Sequence, residues 1–265
     1  MDAIQAFKAM QRIGWAHFIP LEVWTTPPAA RLVGFAGVEA GQDVVDLACG
    51  TGVVAVTAAR RGARVTALDI TPELLVRARE NAGMAAVEIS FREGDVEELP
   101  FPDHAFDVVL SQFGHMFAPR PAVAVGEMLR VLRPGGTIAF STWPPEMALG
   151  RIFTLISGHL PPPPPGIPAP TEWGDPAIIR ERLGSAVKNV VFDRGVLHAP
   201  ALSPQHHRDM TERTAGPVLK LVETLGVANP AKLASFRREY EEIVSGYLED
   251  NVVRQDYLMT RATKA

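Results

Sequence analysis

The sequence of 265 residues contains a single cysteine and no excess of positive charge. The lone cysteine, Cys49, excludes a disulfide within the chain and a zinc site built from several cysteines. Lysine and arginine number 26 against 30 aspartates and glutamates, and the net charge of −4 gives no general attraction for nucleic acid or anionic lipid. No apolar run approaches the roughly 20 residues of a membrane span, and the first residues lack the layout of a signal peptide. We therefore expect a cytoplasmic protein with no membrane span and no nucleic-acid partner.

What the sequence does contain is a core-forming composition and a regular alternation of helix and strand patterns. Hydrophobic residues make up 47% of the chain, enough for a sizeable core. Between residues 26 and 143, helical patterns alternate with short apolar runs at 44–48, 64–69, 87–91, 106–111 and 137–141. This alternation predicts a parallel sheet with right-handed crossovers and helices on both faces. Ligands bind to such sheets beyond the carboxyl ends of the strands, so those ends should meet at one crevice.

The chain changes character after Trp143. A helical pattern over about 149–160 runs into five consecutive prolines, Pro161–Pro165, which we interpret as a stiff spacer or loop. Asp175 followed by proline opens a further short helix. Beyond it we predict a strand over about 187–196, two longer helices over about 205–225 and 230–249, and a closing strand over about 252–263.

The first candidate ligand site is the stretch 46–52, Asp-Leu-Ala-Cys-Gly-Thr-Gly, at the end of the first predicted strand. Gly50 and Gly52 allow a sharp turn and a close approach of the backbone to a ligand. The helix that follows directs its free N–H groups at the crevice. The pattern is typical of nucleotide-like ligands, and it also fits a dinucleotide-binding fingerprint.

Two acidic residues follow later strands. Asp69 ends the second strand about twenty residues after Gly50, the spacing expected of a carboxylate that accepts from the hydroxyls of a ribose. The alternative, that Asp69 only caps the next helix, is weaker because Thr71 is already in a capping position. Asp95 follows the third strand and is placed to accept from an adenine amino group, with Val96 packing on the ring. The alternative for Asp95 is an ordinary turn aspartate after a glycine.

These elements, together with the strand-to-loop segment 106–115 and the helix exit 129–136, resemble the class I methyltransferases that use S-adenosylmethionine (SAM). The most similar branch is that of the ubiquinone/menaquinone-biosynthesis C-methyltransferases, over about residues 26–143. The resemblance implies an α/β, Rossmann-like sheet of seven mostly parallel strands, with helices on both faces, an added helical lid, and the last two strands antiparallel to parallel neighbours. It also implies SAM as cofactor, with S-adenosylhomocysteine as its product. The implied SAM-binding residues are Asp46, Ala48, Cys49, Gly50, Thr51, Gly52, Asp69, Ile70, Asp95, Val96, Ser111 and Gln112.

We also predict a division of the chain and a place for the methyl acceptor. Residues 1–145 would form the SAM-binding core with an N-terminal helical segment. Residues 146–265 would complete the sheet with the strands at about 187–196 and 252–263 and insert lid helices. Five aromatic residues would form an apolar roof over the methyl donor, although they also fit an ordinary core. They are Trp15, Phe18, Trp24, Trp143 and Phe153.

Methyl transfer from SAM needs no protein nucleophile, but an oxygen or carbon acceptor needs a base. His115 is the first candidate because it lies in the loop after the fourth predicted strand; the alternative is a histidine hydrogen-bonded to backbone or solvent. His17 and His198 are weaker candidates. So are the adjacent His206 and His207, which point apart on a helix and lack further ligands at metal-binding spacing, so no metal site is predicted.

Three functions remain open from the sequence. The favoured one is in-line methyl transfer to the oxygen, nitrogen or carbon of a small-molecule acceptor. A second is an NAD(P)-dependent oxidoreductase, which explains the glycines and Asp69 but not Asp46 together with the 94–96 and 134–136 elements. The third is a SAM-binding module without catalytic activity. The sequence leaves the oligomeric state open.

Overall fold

The computed structural model describes residues 2–265. None of its helices in that range is long and apolar enough to cross a bilayer. The α-helices are α1 (Ala3–Trp15), α2 (Glu22–Ala36), α3 (Val53–Ala59), α4 (Pro72–Met84), α5 (Pro121–Val131), α6 (Ala148–His159), α7 (Pro176–Leu183), α8 (Pro204–Thr214), α9 (Gly216–Ala228) and α10 (Pro230–Ser245). The strands are β1 (Asp43–Leu47), β2 (Arg64–Asp69), β3 (Ile89–Glu93), β4 (Phe106–Gln112), β5 (Leu132–Thr142), β6 (Val187–Pro200), β7 (Leu248–Glu249) and β8 (Val252–Lys264).

One sheet organises the molecule, with the strand order β3-β2-β1-β4-β5-β8-β6. Strands β1 to β5 run parallel, and helices α3, α4 and α5 return the chain after β1, β2 and β4, as parallel pairing requires. The short β7 pairs with β8 outside this order. The predicted α/β class, with a Rossmann-like and mostly parallel sheet, is confirmed.

The direction of the last strands corrects one expectation. We expected both late strands to run against parallel neighbours, but within residues 2–265 only β8 runs against β1 to β5. It lies antiparallel to β5 on one side and to β6 on the other, so β6 runs in the same direction as β5. The three helices α8 to α10 separate β6 from β8 along the chain. This long connection allows β8 to lie between β5 and β6 in the sheet.

The sheet buries apolar side chains on both faces because successive residues of a strand point to opposite sides. Val44 and Leu110 belong to one apolar cluster, which includes residues of α2 and α3. Val45 and Val109 belong to the other, which includes residues of α5, α6, α9 and α10. The helical layers on either side hold the strand ends in fixed positions at the edge where the site lies.

The start of α2 differs from the sequence pattern. The sequence predicts a helix capped by Thr26, but α2 starts at Glu22 and contains Pro27 and Pro28. The hydroxyl of Thr26 donates to the Glu22 carbonyl inside the helix instead of capping it. The side chain of Glu22 pairs with Arg77 of α4, a contact distant in sequence that fixes the earlier start.

Two other boundaries also differ. The predicted helix over 205–225 is two helices, because Ala215 is extended between α8 and α9 and a proline follows in the first turn of α9. Strand β5 begins at Leu132 rather than Thr137, so the Pro-Gly-Gly stretch at 134–136 lies within the strand. The pairing of β5 with β4 accommodates these residues through a shift of register between Phe106 and Val108.

Candidate active site

A continuous cavity lies at the carboxyl ends of β1, β2 and β4. Its walls come from the loop 48–52, from the N-terminal segment between Lys8 and Thr25, and from α6, α8, α9 and α10. The predicted site residues that line it are Asp46, Ala48, Cys49, Gly50, Thr51, Asp69, Ile70, Asp95, Val96 and Gln112. Gly52, Ser111 and His115 are not among the lining residues.

The loop 48–52 takes its shape from left-handed backbone and close packing. Ala48, Gly50 and Gly52 have φ values of 52°, 54° and 77°, a region that costs an L-residue such as alanine roughly 1–2 kcal/mol. A Cβ on Gly52 would lie 3.0 Å from the Cβ of Ala78 in α4. A Cβ on Gly114, in the loop after β4, would lie 2.5 Å from the Cβ of Ala48. Gly52 therefore shapes the loop from behind, and Gly114 presses a second loop against it.

Asp69 is held by backbone donors from two loops. Its Oδ2 accepts from the Gly50 N–H at 2.7 Å and its Oδ1 from the Thr71 N–H at 2.8 Å. Burial raises the pKa of this carboxyl, while the hydrogen bonds from Gly50 and Thr71 act in the opposite direction. Thr71 holds the N-cap position of α4, as expected, but its hydroxyl makes no capping hydrogen bond and has no partner in the described chain. Asp69 is thus pre-oriented at the tip of β2.

Asp46 and Gln112 each bring a buried oxygen without a protein partner to the cavity. Asp46 Oδ2 accepts from the Ala55 N–H at 3.0 Å, but no described group donates to its Oδ1. Gln112 donates through Nε2 to the Thr25 carbonyl at 2.8 Å, and no described group donates to its Oε1. Burial raises the pKa of Asp46 well above its usual range, and the nearby charge of Asp69 adds to the rise. Two hydrogen-bond acceptors are therefore available where β1 and β4 end side by side.

Cys49 lines the cavity between these acids and is 7% exposed. Burial raises the pKa of its thiol well above the usual value, and the charges of Asp69 and Asp46 raise it further. A thiol in such surroundings stays protonated and is a poor nucleophile. The residue fills space in the loop.

Asp95 is tied to the N-terminal helix by a buried ion cluster. Lys8 of α1 donates to Asp95 Oδ2 and to Glu97 Oε2, both at 2.5 Å. The Glu97 side chain is fully buried and also accepts from Arg120 at 2.8 Å. The Asp95 side chain keeps 25% of its surface exposed. Lys8 therefore fastens α1 beside the end of the cavity where Asp69 and Asp95 lie.

Replacing Lys8 with methionine is expected to lower the free energy of unfolding by about 3 kcal/mol, because Asp95 loses the one cation that pairs with it among the described residues and the buried Glu97 keeps only Arg120. The matched control is Arg12→Met, one turn further along α1, where Arg12 pairs with Glu93 at 3.0 Å and both side chains are about half exposed. An exposed pair of this kind contributes less than about 1 kcal/mol. Urea unfolding of the two variants checks this, and equal losses would contradict a special role for Lys8.

His115 does not face the cavity, so its prediction as a catalytic base is wrong. Its ring is fully buried between Phe140 and Trp173, with centroids 4.5 and 4.7 Å away. Neither ring nitrogen has a hydrogen-bond partner in the described chain. Burial lowers the pKa of this imidazole to about 3. His115 is a neutral core residue.

Ser111 is also turned away from the cavity. Its hydroxyl is fully buried, donates to the Leu47 carbonyl at 2.8 Å and accepts from the His115 N–H at 3.1 Å. These bonds link the end of β4 to β1 and to the turn that buries His115. The structure thus gives Ser111 a structural position rather than a cavity-facing one.

A polar cluster that the sequence interpretation missed lines the cavity on the side of α8, α10 and β8. His207 is 1% exposed, and its Nδ1 lies 3.1 Å from the Tyr240 hydroxyl and its Nε2 3.2 Å from Gln255 Nε2. The Tyr240 hydroxyl donates to Thr211 Oγ1 at 2.9 Å. Trp24 stacks on the imidazole, with ring centroids 5.8 Å apart and planes 12° from parallel. Burial lowers the pKa of His207 to about 4, so the ring is neutral at pH 7.

Comparisons with known proteins agree with this arrangement. Residues 45–140 match a family described as a methyltransferase domain. The chain is 33% identical to the uncharacterized protein Rv1405c of Mycobacterium tuberculosis over 264 residues, covering 98% of this chain and 96% of that protein. It is 38% identical to the demethylmenaquinone methyltransferase of Thermus thermophilus over 129 residues, covering 47% of this chain and 59% of the enzyme. The structure of phosphoethanolamine N-methyltransferase 2 of Haemonchus contortus in complex with S-adenosyl-L-methionine superposes with a TM-score of 0.56, at 17% identity, over 90% of this chain and 52% of that one.

The fold and the cavity define a Rossmann-like enzyme in which a glycine loop and acidic strand ends surround one pocket. The chain belongs to the class I SAM-dependent methyltransferases, with SAM as its cofactor. The oxidoreductase alternative is thereby excluded. The similarity to the demethylmenaquinone enzyme covers less than half of the chain, whereas the similarity to the mycobacterial protein includes the helices after β5.

Proposed function

We propose that the enzyme methylates a small, largely apolar molecule inside the cavity. The observation that carries this proposal is that one cavity runs from the glycine loop to the wall formed by α6, α8, α9 and α10. All five aromatic residues predicted as a roof line it. The N-terminal segment, fastened by Lys8, covers the cavity from another side. A covered apolar pocket suits a small acceptor better than a protein or nucleic-acid chain.

The residues at the strand ends fit the polar groups of SAM. The unpartnered oxygens of Asp46 and Gln112 would accept from the ammonium group of the methionine moiety. The carboxylate of Asp69 would accept from the ribose hydroxyls, and Asp95 from the adenine amino group, with Ile70 and Val96 on the faces of the ring. Each of these contacts pairs a donor of the cofactor with an acceptor of the chain, so the buried oxygens of Asp46 and Gln112 would gain the partners that they lack in the protein.

The protein's contribution to the reaction is position and exclusion of water. When bound, SAM supplies an activated methyl group on a sulfonium. The chain must hold an acceptor in line with the methyl carbon and the sulfur, an arrangement worth roughly 7–11 kcal/mol of the barrier. The aromatic lining keeps water away, and aromatic faces also attract a sulfonium cation.

The same proposal assigns different roles to the two parts of the chain. Residues 1–145 would bind the cofactor, and residues 146–265 would complete the sheet and shape the acceptor end. The net charge of −4 is the reason we retain a small molecule, and not a nucleic acid, as the partner. A cytoplasmic location stays a prediction.

Calorimetry with SAM, S-adenosylhomocysteine and NAD tests the proposal most directly. We expect the two adenosyl compounds to bind at one site per chain and NAD to bind at least about a hundredfold more weakly, a difference of about 2.7 kcal/mol. Incubation with methyl-labelled SAM and fractionated extract should then place the label in small molecules. Label found only in protein or nucleic acid would contradict a small acceptor.

A further inference from the structure

The wall around His207 has the properties of an acceptor site. We propose that it binds an uncharged, largely apolar molecule through a hydroxyl group, and that Nε2 of His207 accepts the hydroxyl proton as the oxygen is methylated. This inference rests on the proposed function and adds to it the class of acceptor, the accepting atom and the base.

The sheet brings this wall to the same edge as the cofactor residues. Strand β8 pairs with β5 up to Thr142, which faces Leu258. Gln255 precedes Leu258 in the antiparallel β8, so it lies past the carboxyl end of β5, where it pairs with Leu197 of β6. Both Gln255 and Leu197 line the cavity. The strand order thus sets Asp69 and Asp95 at one end of this edge and the His207 wall towards the other.

A short chain of contacts connects His207 with the proposed methionine end of the cofactor. Gln112, at the end of β4, donates to the Thr25 carbonyl. Trp24, the neighbour of Thr25, stacks on His207. By contrast, Asp95, at the proposed adenine end of the cofactor, pairs with Lys8 on α1. The reacting methyl group belongs to the methionine end, so an acceptor on the His207 wall would lie on the correct side of the cofactor.

The hydrogen bonds in the wall define which nitrogen of His207 carries its proton. Thr211 Oγ1 donates to the His207 carbonyl at 2.9 Å, so it accepts from Tyr240, whose hydroxyl proton is then committed. The oxygen of Tyr240 must therefore accept from Nδ1–H of His207. This leaves a lone pair on Nε2, which meets only the Gln255 amide at 3.2 Å. This distance is at the long end of the usual range for an N–H donor. The hydrogen bond from Gln255 to Nε2 is therefore the one that the hydroxyl of a methyl acceptor can replace.

The charges along the cavity favour an uncharged acceptor. Among the described lining residues the one lysine or arginine is Lys8, and both Asp95 and Glu97 already pair with it. A carboxylate or phosphate on the acceptor would therefore be buried without a cationic side chain to pair with it, which is costly. The lining acids Asp46, Asp69 and Asp95 belong to the proposed cofactor end, so they are not free to bind a cationic acceptor.

The step balances without any further reactant. The bond between sulfur and the methyl carbon breaks, and its electron pair stays on sulfur to give S-adenosylhomocysteine. A lone pair of the hydroxyl oxygen forms the new bond to the methyl carbon. The hydroxyl proton passes to Nε2 of His207, and Nδ1–H of the resulting imidazolium remains hydrogen-bonded to Tyr240.

The test uses three neutral phenols, each matched with the same ring carrying a carboxylate. The neutral probes are 4-propylphenol, 2-naphthol and 4-hydroxybiphenyl, each incubated with the full chain and methyl-labelled SAM. We expect labelled methyl ether from at least one neutral phenol, at a rate at least about tenfold above that of its carboxylate partner. Failure of all three phenols, comparable use of a charged partner, or label on carbon would overturn the inference.

Two variants on the same helix test the role of His207. His207→Asn keeps an N–H near the position of Nδ1, preserving the bond to Tyr240, and removes Nε2. We expect kcat to fall at least about a hundredfold, the usual contribution of a general base, with the Kd for SAM unchanged within about twofold. His206→Asn is the control, because His206 Nδ1 accepts from the exposed Leu202 N–H instead of facing the cavity. Equal kcat values for the two variants would overturn the role of His207. If instead the unaltered protein does not bind SAM, the proposed function itself is refuted.

Discussion

SAM binding is expected to weaken by at least about tenfold, and by up to about a hundredfold, when Asp69 is replaced with alanine. The proposed bonds from the ribose hydroxyls to this carboxylate are charge-assisted, and such a bond contributes roughly 1.5–3 kcal/mol. The variant also removes the acceptor of two backbone groups, the N–H of Gly50 and the N–H of Thr71. Part of the loss would therefore come from a glycine loop that is no longer held in place.

Calorimetric titration with SAM and with S-adenosylhomocysteine measures this effect. Glu93→Ala is the matched control, because Glu93 lies opposite Asp69 in the register of β2 and β3, is half exposed and does not line the cavity. Asp69→Asn keeps one accepting oxygen and should give an intermediate affinity. An unchanged affinity for Asp69→Ala, or an equal loss for Glu93→Ala, would remove Asp69 from the cofactor site.

The gathering of the proposed cofactor residues at one cavity was predictable because their signals are local. Each signal is a short strand that ends in an acid or in glycines, as in the stretch 46–52 and at Asp69. Parallel strands bring such ends to one edge whatever the rest of the chain does. The structure accordingly brings ten of the predicted residues to one cavity and leaves out Gly52, Ser111 and His115.

His115 was mispredicted because a loop position does not reveal which way a side chain turns. Gly114 lies so close to Ala48 that the chain must turn inward after β4. The ring of His115 then packs under Trp173, which comes from a segment more than fifty residues away in sequence. No sequence pattern around residue 115 indicates that Trp173 packs on it, so the burial of His115 could not be predicted from the neighbouring residues.

His207 was ranked only as a weaker candidate base, and the cluster around it was missed, for the related reason that its partners are dispersed along the sequence. Trp24, Tyr240 and Gln255 come from α2, α10 and β8, and the fold alone brings them together around the ring. The sequence did carry one usable signal. The Gly-Pro pair at 216–217 begins α9, and dividing the predicted helix before this pair would have isolated α8 as a short element with mostly polar residues. A buried histidine on such a helix indicates a polar cluster inside.

The second large effect is expected for Asp46→Asn. This variant should weaken SAM binding, while its stability without the cofactor should improve relative to that of the original chain as pH rises. The pKa of Asp46 in the folded chain is raised by burial and by the charge of Asp69, while in the unfolded chain it takes its ordinary value. As pH rises above that ordinary value, the unfolded chain loses a proton that the folded chain retains. The free energy of unfolding therefore falls as pH rises toward the raised pKa. The asparagine variant has no such proton, and its side-chain oxygen can still accept from the Ala55 N–H.

Urea unfolding at pH 5 and pH 8 should show the stability of the variant improving relative to that of the original chain as pH rises. SAM affinity should nevertheless fall about tenfold or more, because an amide replaces the charged acceptor of the ammonium group. SAM binding by the original chain should release protons, seen as a dependence of the calorimetric enthalpy on the buffer, since the ammonium lowers the pKa of Asp46. Asp103→Asn, an exposed aspartate paired with Arg130 and outside the cavity, should retain both the affinity and the proton release. Proton release that persists undiminished in Asp46→Asn would show that another group titrates on binding and that Asp46 does not hold the ammonium.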